Sequence, residues 1–217
     1  MRPSPETFSP AAFAGVCESW DDWEKPAPPF RVYGGTYYVG TCGISAILIT
    51  SPEGHLLIDS GTEPGGELVA TSIQELGFSL GDVRYLTHTQ EHGDHIGGLA
   101  YLKENTDAQL VASPRAWSVF ETAVLNTDDP QYTPDEPRAW LSVDKLVADG
   151  EALELGPREW SRISRPGTAP VQFLGDGKNV RPLSAARSFS QMAWDHSRPT
   201  DIGGLTTLSI WPTTANR

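Results

Sequence analysis

The stretch LTHTQEHGDHIGG, residues 86–98, contains three of the five histidines in the chain. His92, Asp94 and His95 fall within four consecutive positions of it. A strand-like run, VRYLTHT, leads into this cluster, and a helix-like pattern, HIGGLAYLKENT, follows it. Because α/β folds carry their functional groups on loops at the carboxyl ends of strands, the cluster is a candidate functional site.

The residue types in this cluster favour a metal site. Imidazole nitrogens and carboxylate oxygens are ligands that suit zinc. A turning backbone can direct Asp94 and His95 to one metal and His92 to another, while the neighbouring glycines relieve crowding. The alternative is a solvated polar loop in which Asp94 caps the following helix. The spacing favours the metal site over that alternative.

Composition limits the classes of protein and of partner. A chain of 217 residues is long enough for one domain with a sizeable core. Its formal net charge of −12 argues against nucleic acid or an anionic membrane as a partner. No apolar run reaches the length of about 18 residues that a membrane span needs. The N-terminal residues lack the apolar segment of a signal peptide, so the chain as written is expected in the cytoplasm.

The chain divides into three segments. Residues 1–30 are rich in proline and tryptophan and predict an irregular arm. Residues 31–156 alternate between strand and helix patterns, which indicates an α/β fold. The patterns are strands at TYYVGT, SAILIT, VRYLTHT and AQLVAS, helices at GGELVATSIQELGF, HIGGLAYLKENT and SPRAWSVFETAVL, and hairpins at SPEGH and DKLVADGEALELG.

Residues 157–217 differ from the rest of the chain in charge and in pattern. Up to residue 156 there are 24 acidic and 8 basic residues, whereas the remainder has 4 acidic and 8 basic residues. Ser, Arg, Pro and Gly dominate this segment, and neither a strand nor a helix period is sustained in it. Such a composition predicts a poorly ordered tail.

Three stretches resemble the metallo-β-lactamase superfamily and, within it, the third subclass of the class B β-lactamases. They are YYVGTCGISAILITSPEGHLLIDSGT at 37–62, ELGFSLGDVRYLTHTQEHGDHIGGLAYLKENTDAQLVAS at 75–113, and DDPQY at 128–132. The resemblance runs from about Cys17 to about Pro157. It implies an αβ/βα sandwich whose N-terminal half is recognisable in residues 31–156 and whose C-terminal half is incomplete.

The resemblance gives four residues a ligand role. The family motif H-x-H-x-D-H aligns so that Gln90 takes the place of the first histidine, as in some members of the subclass. It implies two zinc ions, one held by Gln90 and His92 and the other by Asp94 and His95. A hydroxide held between the metals would open a β-lactam ring, and Asp94 would also be catalytic by orienting that nucleophile.

The resemblance also implies supporting roles for two residues. Asp59, in LLIDSGT, matches a family acid that supports the ligands from behind the site, although a turn or helix cap is an equal alternative. His88 aligns with a position that is not a ligand, and we expect it to support the ligands or to be structural.

The two cysteines bear on the compartment. By composition, Cys17 and Cys42 are either one bridge or two unrelated thiols, and the resemblance implies the disulfide of the subclass. A disulfide implies an oxidising compartment, so the resemblance points to a periplasmic or secreted protein. Either the start of the sequence is truncated, or the protein is cytoplasmic and the thiols stay reduced.

The tail lacks groups that the resemblance requires. Two further zinc histidines are expected, one of them in a P-G-H-[ST]-P-G motif, and neither is present. His196 lies in unrelated flanks and is expected to be incidental. One coding string for RPGTAPVQFLG, residues 165–175, spells PGHSPGSVSW when it is read two bases later. We therefore predict that residues 157–217 are translated out of frame.

Taken together, these features predict a zinc-dependent hydrolase of β-lactams with impaired activity, because each metal keeps at most two protein ligands. The expected partner is a small β-lactam, without nucleic acid or membrane partners, and we expect a monomer. We also expect the sheet to lose the layer that covers one of its faces. The alternatives are another superfamily hydrolase, such as a lactonase or thioesterase, and a non-catalytic remnant with weak metal affinity.

Overall fold

The computed structural model describes residues 8–133 and 141–155, together with the backbone of two strands at 158–162 and 173–175. A seven-stranded mixed sheet lies at its centre. Its strands are β1 (Phe30–Tyr33), β2 (Thr36–Tyr38), β3 (Ile47–Ser51), β4 (Gly54–Ile58), β5 (Val83–Thr87), β6 (Gln109–Ala112) and β7 (Lys145–Leu146). They lie side by side in chain order; β1 to β4 pair antiparallel and β4 to β7 pair parallel.

The helices of the described residues are α1 (Pro10–Val16), α2 (Gly65–Glu75), α3 (Gly93–Ile96), α4 (Leu99–Asn105) and α5 (Pro114–Thr122). Helices α2 and α5 follow the sequence patterns, the predicted helix at HIGGLAYLKENT is divided into α3 and α4, and α1 was not predicted. The helical spacing of Leu68, Ile73 and Leu76 predicts a buried face on α2; the structure buries Ile73 together with Val69, whereas Leu68 and Leu76 are half-buried. Helix α5 begins at Ser113, whose side chain accepts a hydrogen bond from the backbone N–H of Ala116. No helix in the described part of the chain is long and apolar enough to cross a membrane.

Each face of the central sheet contributes to its own apolar cluster. Leu48, Leu57 and Leu86 point to the face covered by α2, α4 and α5, and all three are at most 1% exposed. Burial of this much apolar surface is the main source of stability of such a layer. The helical layer therefore fixes the strand ends from which the candidate site projects.

The opposite face is covered, contrary to the expectation of a bare layer. Ile49, Leu56 and Val111 are buried there, and they share a cluster with Leu153 and Leu155 of a further strand, β8 (Ala152–Leu155). Strand β8 pairs antiparallel with β9 (Arg158–Arg162), which pairs antiparallel with β10 (Phe173–Gly175). Side chains from β8 and from the N-terminal arm thus cover this face of the sheet. The sequence analysis expected the face to be exposed because the C-terminal half of the fold is incomplete.

The N-terminal arm contains the short helix α1, although its sequence predicts an irregular segment. Ser9 caps this helix by accepting a hydrogen bond from the backbone N–H of Ala12, and Pro10 takes the first helical position. A disulfide joins Cys17, directly after α1, to Cys42 in the loop after β2, with the two Cα atoms 5.2 Å apart. This pairing is the one that the resemblance implies.

The predicted hairpin at DKLVADGEALELG is wrong. Strand β7 pairs parallel with β6, whereas β8 pairs with β9 in a separate three-stranded sheet. The turn residues between the two strands therefore carry the chain from one sheet to the other. Outside β9 and β10, the segment 157–217 lies beyond the described residues, as does His196, so the prediction of a poorly ordered tail stays a prediction.

Candidate metal centre

Two parallel strands, β4 and β5, end side by side and carry the site. Ile58, the last residue of β4, pairs with Thr87, the last residue of β5. The chain after β4 turns at Asp59, which has a φ of 63°, and the chain after β5 runs through the histidine cluster into α3. The carboxyl ends of both strands therefore meet at one edge, as expected for a site in an α/β sheet.

Backbone contacts fix α3 against the loop that follows β4. Both the backbone N–H and the hydroxyl of Ser60 donate to the carbonyl oxygen of His95, at 2.9 and 2.8 Å. A Cβ atom on Gly98 would lie 2.5 Å from the carbonyl oxygen of Ser60, so only glycine permits this approach. The glycines of the motif thus serve the packing of two loops, a different use from the relief of crowding around a metal that the sequence predicts.

Asp59 holds one side of the site. Its carboxylate is buried and accepts hydrogen bonds from the backbone N–H of Thr89 at 2.6 Å and from the Thr89 hydroxyl at 2.7 Å. The same carboxylate lies 3.0 Å from Nδ1 of His95. Asp59 therefore lies at a turn and also contacts a candidate ligand, and its supporting role towards a bound metal stays a prediction.

His95 is held at both ring nitrogens. Nδ1 faces Asp59, and Nε2 lies 3.3 Å from Oδ2 of Asp94. Burial by itself lowers the pKa of His95, but the two carboxylates outweigh it and raise that pKa to about 10. Burial likewise raises the pKa of Asp94, and hydrogen bonding to His95 brings it below its ordinary value. The two carboxylates therefore favour the protonated, positively charged form of the His95 ring that lies between them.

Asp94 does not cap α3. The N-cap of this helix is His92, which makes no side-chain capping bond, and the Asp94 carboxylate turns towards His95 instead. The solvated-loop alternative for the cluster required Asp94 at the cap. The geometry thus removes the main support for that alternative.

His92 and Gln90 form the second pair of candidate ligands. Nε2 of His92 lies 3.0 Å from both carboxylate oxygens of Asp129, on the loop after α5. Gln90 is half-buried, and within the described residues its side chain makes no hydrogen bond. An amide that makes no hydrogen bond within the described residues and an oriented imidazole two residues later are donor types that can accept a metal.

His88 lies behind the cluster and is fully buried. Its ring packs edge-on against Phe120, with the ring centroids 5.2 Å apart. Nε2 lies 3.4 Å from Oε1 of Glu91, and within the described residues neither ring nitrogen has a hydrogen-bond partner. Within the described residues His88 makes no hydrogen bond or ion pair with any of the four candidate ligands, so its supporting role stays a prediction.

Of the four candidate ligands, Asp94 and His95 are in direct contact, whereas within the described residues no hydrogen bond joins Gln90 to His92. In residues 8–133 and 141–155, three potential ligand atoms from His, Cys, Asp or Glu lie within 4.8 Å of one another only at Cys17, Asp21 and Cys42. The two cysteines there are joined in the disulfide and are not available as thiolates. The assignment of two protein donors to each metal therefore stays a prediction.

Two contributors were missed from the sequence, Asp129 and Thr89. Asp129 lies in DDPQY, a stretch that carries the family resemblance, but nothing in the pattern connects it with His92, 37 residues earlier. Thr89 bonds to Asp59 and lies 3.0 Å from Nδ1 of His95. Its position one residue before Gln90 is the only sequence signal for that role.

A family model for the metallo-beta-lactamase superfamily matches residues 39–180. The chain belongs to the metallo-beta-lactamase superfamily. Members of this superfamily are hydrolytic enzymes, and the mixed sheet with its helices is the metallo-beta-lactamase fold. The family and the fold predicted from the sequence are thereby confirmed.

Solved structures place the chain near one subclass of the metallo-beta-lactamases. It is 48% identical to the MIM-2 metallo-beta-lactamase, with a TM-score of 0.67 and coverage of 73% of this chain and 60% of that one. For MIM-1 from Novosphingobium pentaromativorans the identity is 39%, the TM-score 0.70 and the coverage 76% and 61%. For MEM-A1, a subclass B3 metallo-beta-lactamase from a soil metagenome library, they are 39%, 0.62, and 69% and 57%.

The chain thus spans about three-fifths of the length of these metallo-beta-lactamases. A curated relative with a different name is an exodeoxyribonuclease of Bacillus anthracis. It is 29% identical over 93 residues, which are 43% of this chain and 31% of that protein. The superfamily therefore does not by itself decide the substrate.

Proposed function

We propose that the chain is a zinc-dependent hydrolase of the metallo-beta-lactamase type whose substrates are β-lactams. The observation that carries this proposal is the chain of contacts from Asp59 through His95 to Asp94. A carboxylate on one nitrogen of an imidazole, with the other nitrogen turned to a second candidate ligand, is the usual arrangement behind a zinc-binding histidine. It supports the assignment of Asp94 and His95 as one pair of ligands.

The second pair of ligands is Gln90 and His92. Imidazole nitrogens, an amide oxygen and a carboxylate are donors that suit zinc, and the amide of Gln90, which makes no hydrogen bond to the residues that the structure describes, is available for that use. Zinc bound at these residues would activate water near neutral pH and polarise a substrate carbonyl. The Asp94 carboxylate would orient the attacking water by accepting its hydrogen bond.

β-Lactams are favoured over other substrates by similarity and by charge. The three solved relatives named above carry β-lactamase names, with identities of 48%, 39% and 39%. The exodeoxyribonuclease resemblance is weaker and covers less of the chain. A formal net charge of −12 also disfavours a polyanionic DNA substrate.

We further propose that hydrolysis by this polypeptide is impaired. Catalytic zinc sites usually have three protein ligands and one open position, whereas each pair here supplies two. Because the third ligands expected by resemblance are missing from the sequence, zinc should bind weakly. A non-catalytic remnant is the alternative function that this donor count favours.

Zinc content and hydrolysis distinguish these possibilities. The purified chain is expected to take up zinc and to open a chromogenic cephalosporin slowly, and Asp94→Asn should abolish the reaction. A lactone, a thioester and single-stranded DNA serve as alternative substrates. Faster turnover of any of them contradicts the β-lactam assignment, and a chain that takes up no zinc supports the remnant.

The reading frame of residues 157–217 has a separate test. We expect the gene to spell the histidine motif when codons 165–175 are read two bases later. A frame-corrected protein should then bind two zinc ions tightly and hydrolyse the cephalosporin much faster than the present chain. Codons that do not spell the motif would contradict this part of the proposal.

A further inference from the structure

The loop after α5 brings Asp129 onto His92. Both carboxylate oxygens lie 3.0 Å from Nε2 of His92, so the ring nitrogen is shared between them. The side chains of His92 and Asp129 are only 15% and 11% exposed, which shields the contact from water. At this burial, a charge-assisted hydrogen bond is stronger than one on an open surface.

The position of Asp129 is set by its own loop. Its backbone N–H donates to the carbonyl oxygen of Asn126 at 2.9 Å, and its carbonyl oxygen accepts from the backbone N–H of Tyr132 at 3.0 Å. One carboxylate oxygen also accepts from the backbone N–H of Gln131 at 2.8 Å. The carboxylate is therefore held in place by the turn as well as by the histidine.

A carboxylate only accepts hydrogen bonds, so the neutral imidazole facing it must carry its proton on Nε2. We propose that Asp129 is a positioning residue that fixes this tautomer and thereby leaves Nδ1 of His92 as the nitrogen available to a metal. The tautomer follows from the geometry alone. Its use in metal binding rests on the proposed zinc-dependent function.

The neighbouring histidine, His95, is contacted by a carboxylate at the other ring nitrogen. Asp59 engages Nδ1 of His95 and leaves Nε2 facing Asp94. Asp59 directly follows β4, whereas Asp129 lies on a loop 37 residues beyond the histidine it engages. Two carboxylates from unrelated parts of the chain thus select opposite nitrogens of the two histidines.

Asp128 provides a matched control for Asp129. It is the preceding residue, carries the same charge and belongs to the same loop. Its carboxylate accepts a hydrogen bond from Nη2 of Arg115 at 2.7 Å, and its side chain is 67% exposed. Asp128→Asn therefore removes the same charge from the loop without removing the partner of His92.

The tautomer can be measured in the zinc-free chain by nitrogen-15 NMR of the histidine side chains, at a pH where the His92 ring is neutral by its own titration. We expect the Nε2–H form in the wild-type chain and in Asp128→Asn. Asp129→Asn should lose this preference, because its amide can donate to Nε2, and Asp129→Glu should restore it. The same tautomer of His92 in all four proteins would overturn the proposal. Asp129→Ser replaces the Asn variant if that variant does not fold.

The effect on metal binding is measured by competition between the chain and a chromogenic chelator for zinc. Loss of a carboxylate behind a zinc-binding histidine typically weakens affinity by roughly 10- to 100-fold, and we expect this for Asp129→Asn but not for Asp128→Asn. Equal zinc affinity in both variants would overturn the metal-positioning role. If the wild-type chain binds no zinc, the proposed function fails, while the NMR result still decides whether Asp129 sets the tautomer.

Discussion

His95 and His92 are both candidate zinc ligands, yet their surroundings differ in origin and in completeness. His95 is buried, its two nitrogens face Asp59 and Asp94, and its carbonyl oxygen is held by Ser60. His92 is more exposed and has one carboxylate partner among the described residues, Asp129 on a distant loop; Gln90, two residues earlier, makes no side-chain hydrogen bond within that part of the chain. The first pair is built into the sheet edge, and the second depends on a loop.

This difference indicates which pair is organised before metal binds. Groups that are packed and hydrogen-bonded in the folded chain lose little freedom on binding a metal, whereas loosely held groups must be ordered at that moment. We therefore expect the Asp94–His95 pair to bind zinc more tightly than the Gln90–His92 pair. Each prediction below changes one side of this contrast.

The largest effect is expected for Asp59→Asn. Asparagine tolerates the positive φ of this position, so the change removes two hydrogen-bond acceptor contacts, to the Thr89 hydroxyl and His95, without new backbone strain. Breaking such a buried charged network should lower the free energy of unfolding by about 2–4 kcal/mol. Urea unfolding with a chelator present measures this.

Zinc competition on the same variant completes the test. The affinity of the Asp94–His95 pair should fall by roughly 10- to 100-fold, because the orientation of His95 is lost. An unfolding midpoint equal to that of the wild-type chain would mean that the carboxylate does not hold the site together. The different surroundings of the two histidines would then make no difference to the free energy of unfolding.

A smaller change, in the opposite direction, is expected for Gln90→His. Imidazole is a better zinc ligand than an amide oxygen, and this substitution completes the family motif. We expect the weaker zinc site to bind roughly tenfold more tightly, equivalent to about 1.4 kcal/mol. Gln74→His, on the exposed side of α2, is the control for adding a histidine to the surface. Equal effects of the two variants would show that Gln90 is not a ligand position.

The same contrast explains how much of the site the sequence revealed. Asp94 and His95 are adjacent, and the helix that starts at the cluster makes their proximity readable from spacing. Asp59 was recognised as an acid at a strand end, but a cap and a ligand support have the same sequence signature. Only the packing of β4 beside β5 brings it to His95. The Asp129 contact with His92 depends on the course of a loop, which no local pattern encodes.

In the fold, too, features with a local sequence signal were predicted and features that depend on tertiary packing were not. Helices α2 and α5 and the β3–β4 hairpin were predicted because their signals are local: periodicity, a Ser-Pro start and a two-residue turn. The hairpin of β7 and β8 was wrong because strand pairing is decided by tertiary packing. Helix α1 was missed although Ser9 and Pro10 form an N-terminal signal, because seven residues are too few to show a period.

The smallest effect is expected for Asp144→Asn, a variant that lowers stability away from the site. The carboxylate of Asp144 pairs with Lys103 of α4 and accepts a hydrogen bond from the backbone N–H of Leu110 in β6 at 2.7 Å. Burial raises its pKa, but these partners outweigh burial and bring the pKa below the ordinary value of 3.8. Its stabilising effect is therefore present above that value and is lost as the pH falls through the lowered pKa.

Because the side chain is one-third exposed, at 33%, solvent screening limits the expected loss to about 1 kcal/mol or less. Asp144→Asn should lower the urea midpoint slightly at pH 7 and show less further loss than the wild-type chain on acidification. Its zinc affinity should equal that of the wild-type chain, since the residue contacts none of the candidate ligands. A fall in the zinc affinity of Asp144→Asn that parallels its loss of stability would mean that destabilisation alone weakens zinc binding. The loss of affinity expected for Asp59→Asn would then have the same general cause, and the two histidines would differ only in how much each contributes to folding.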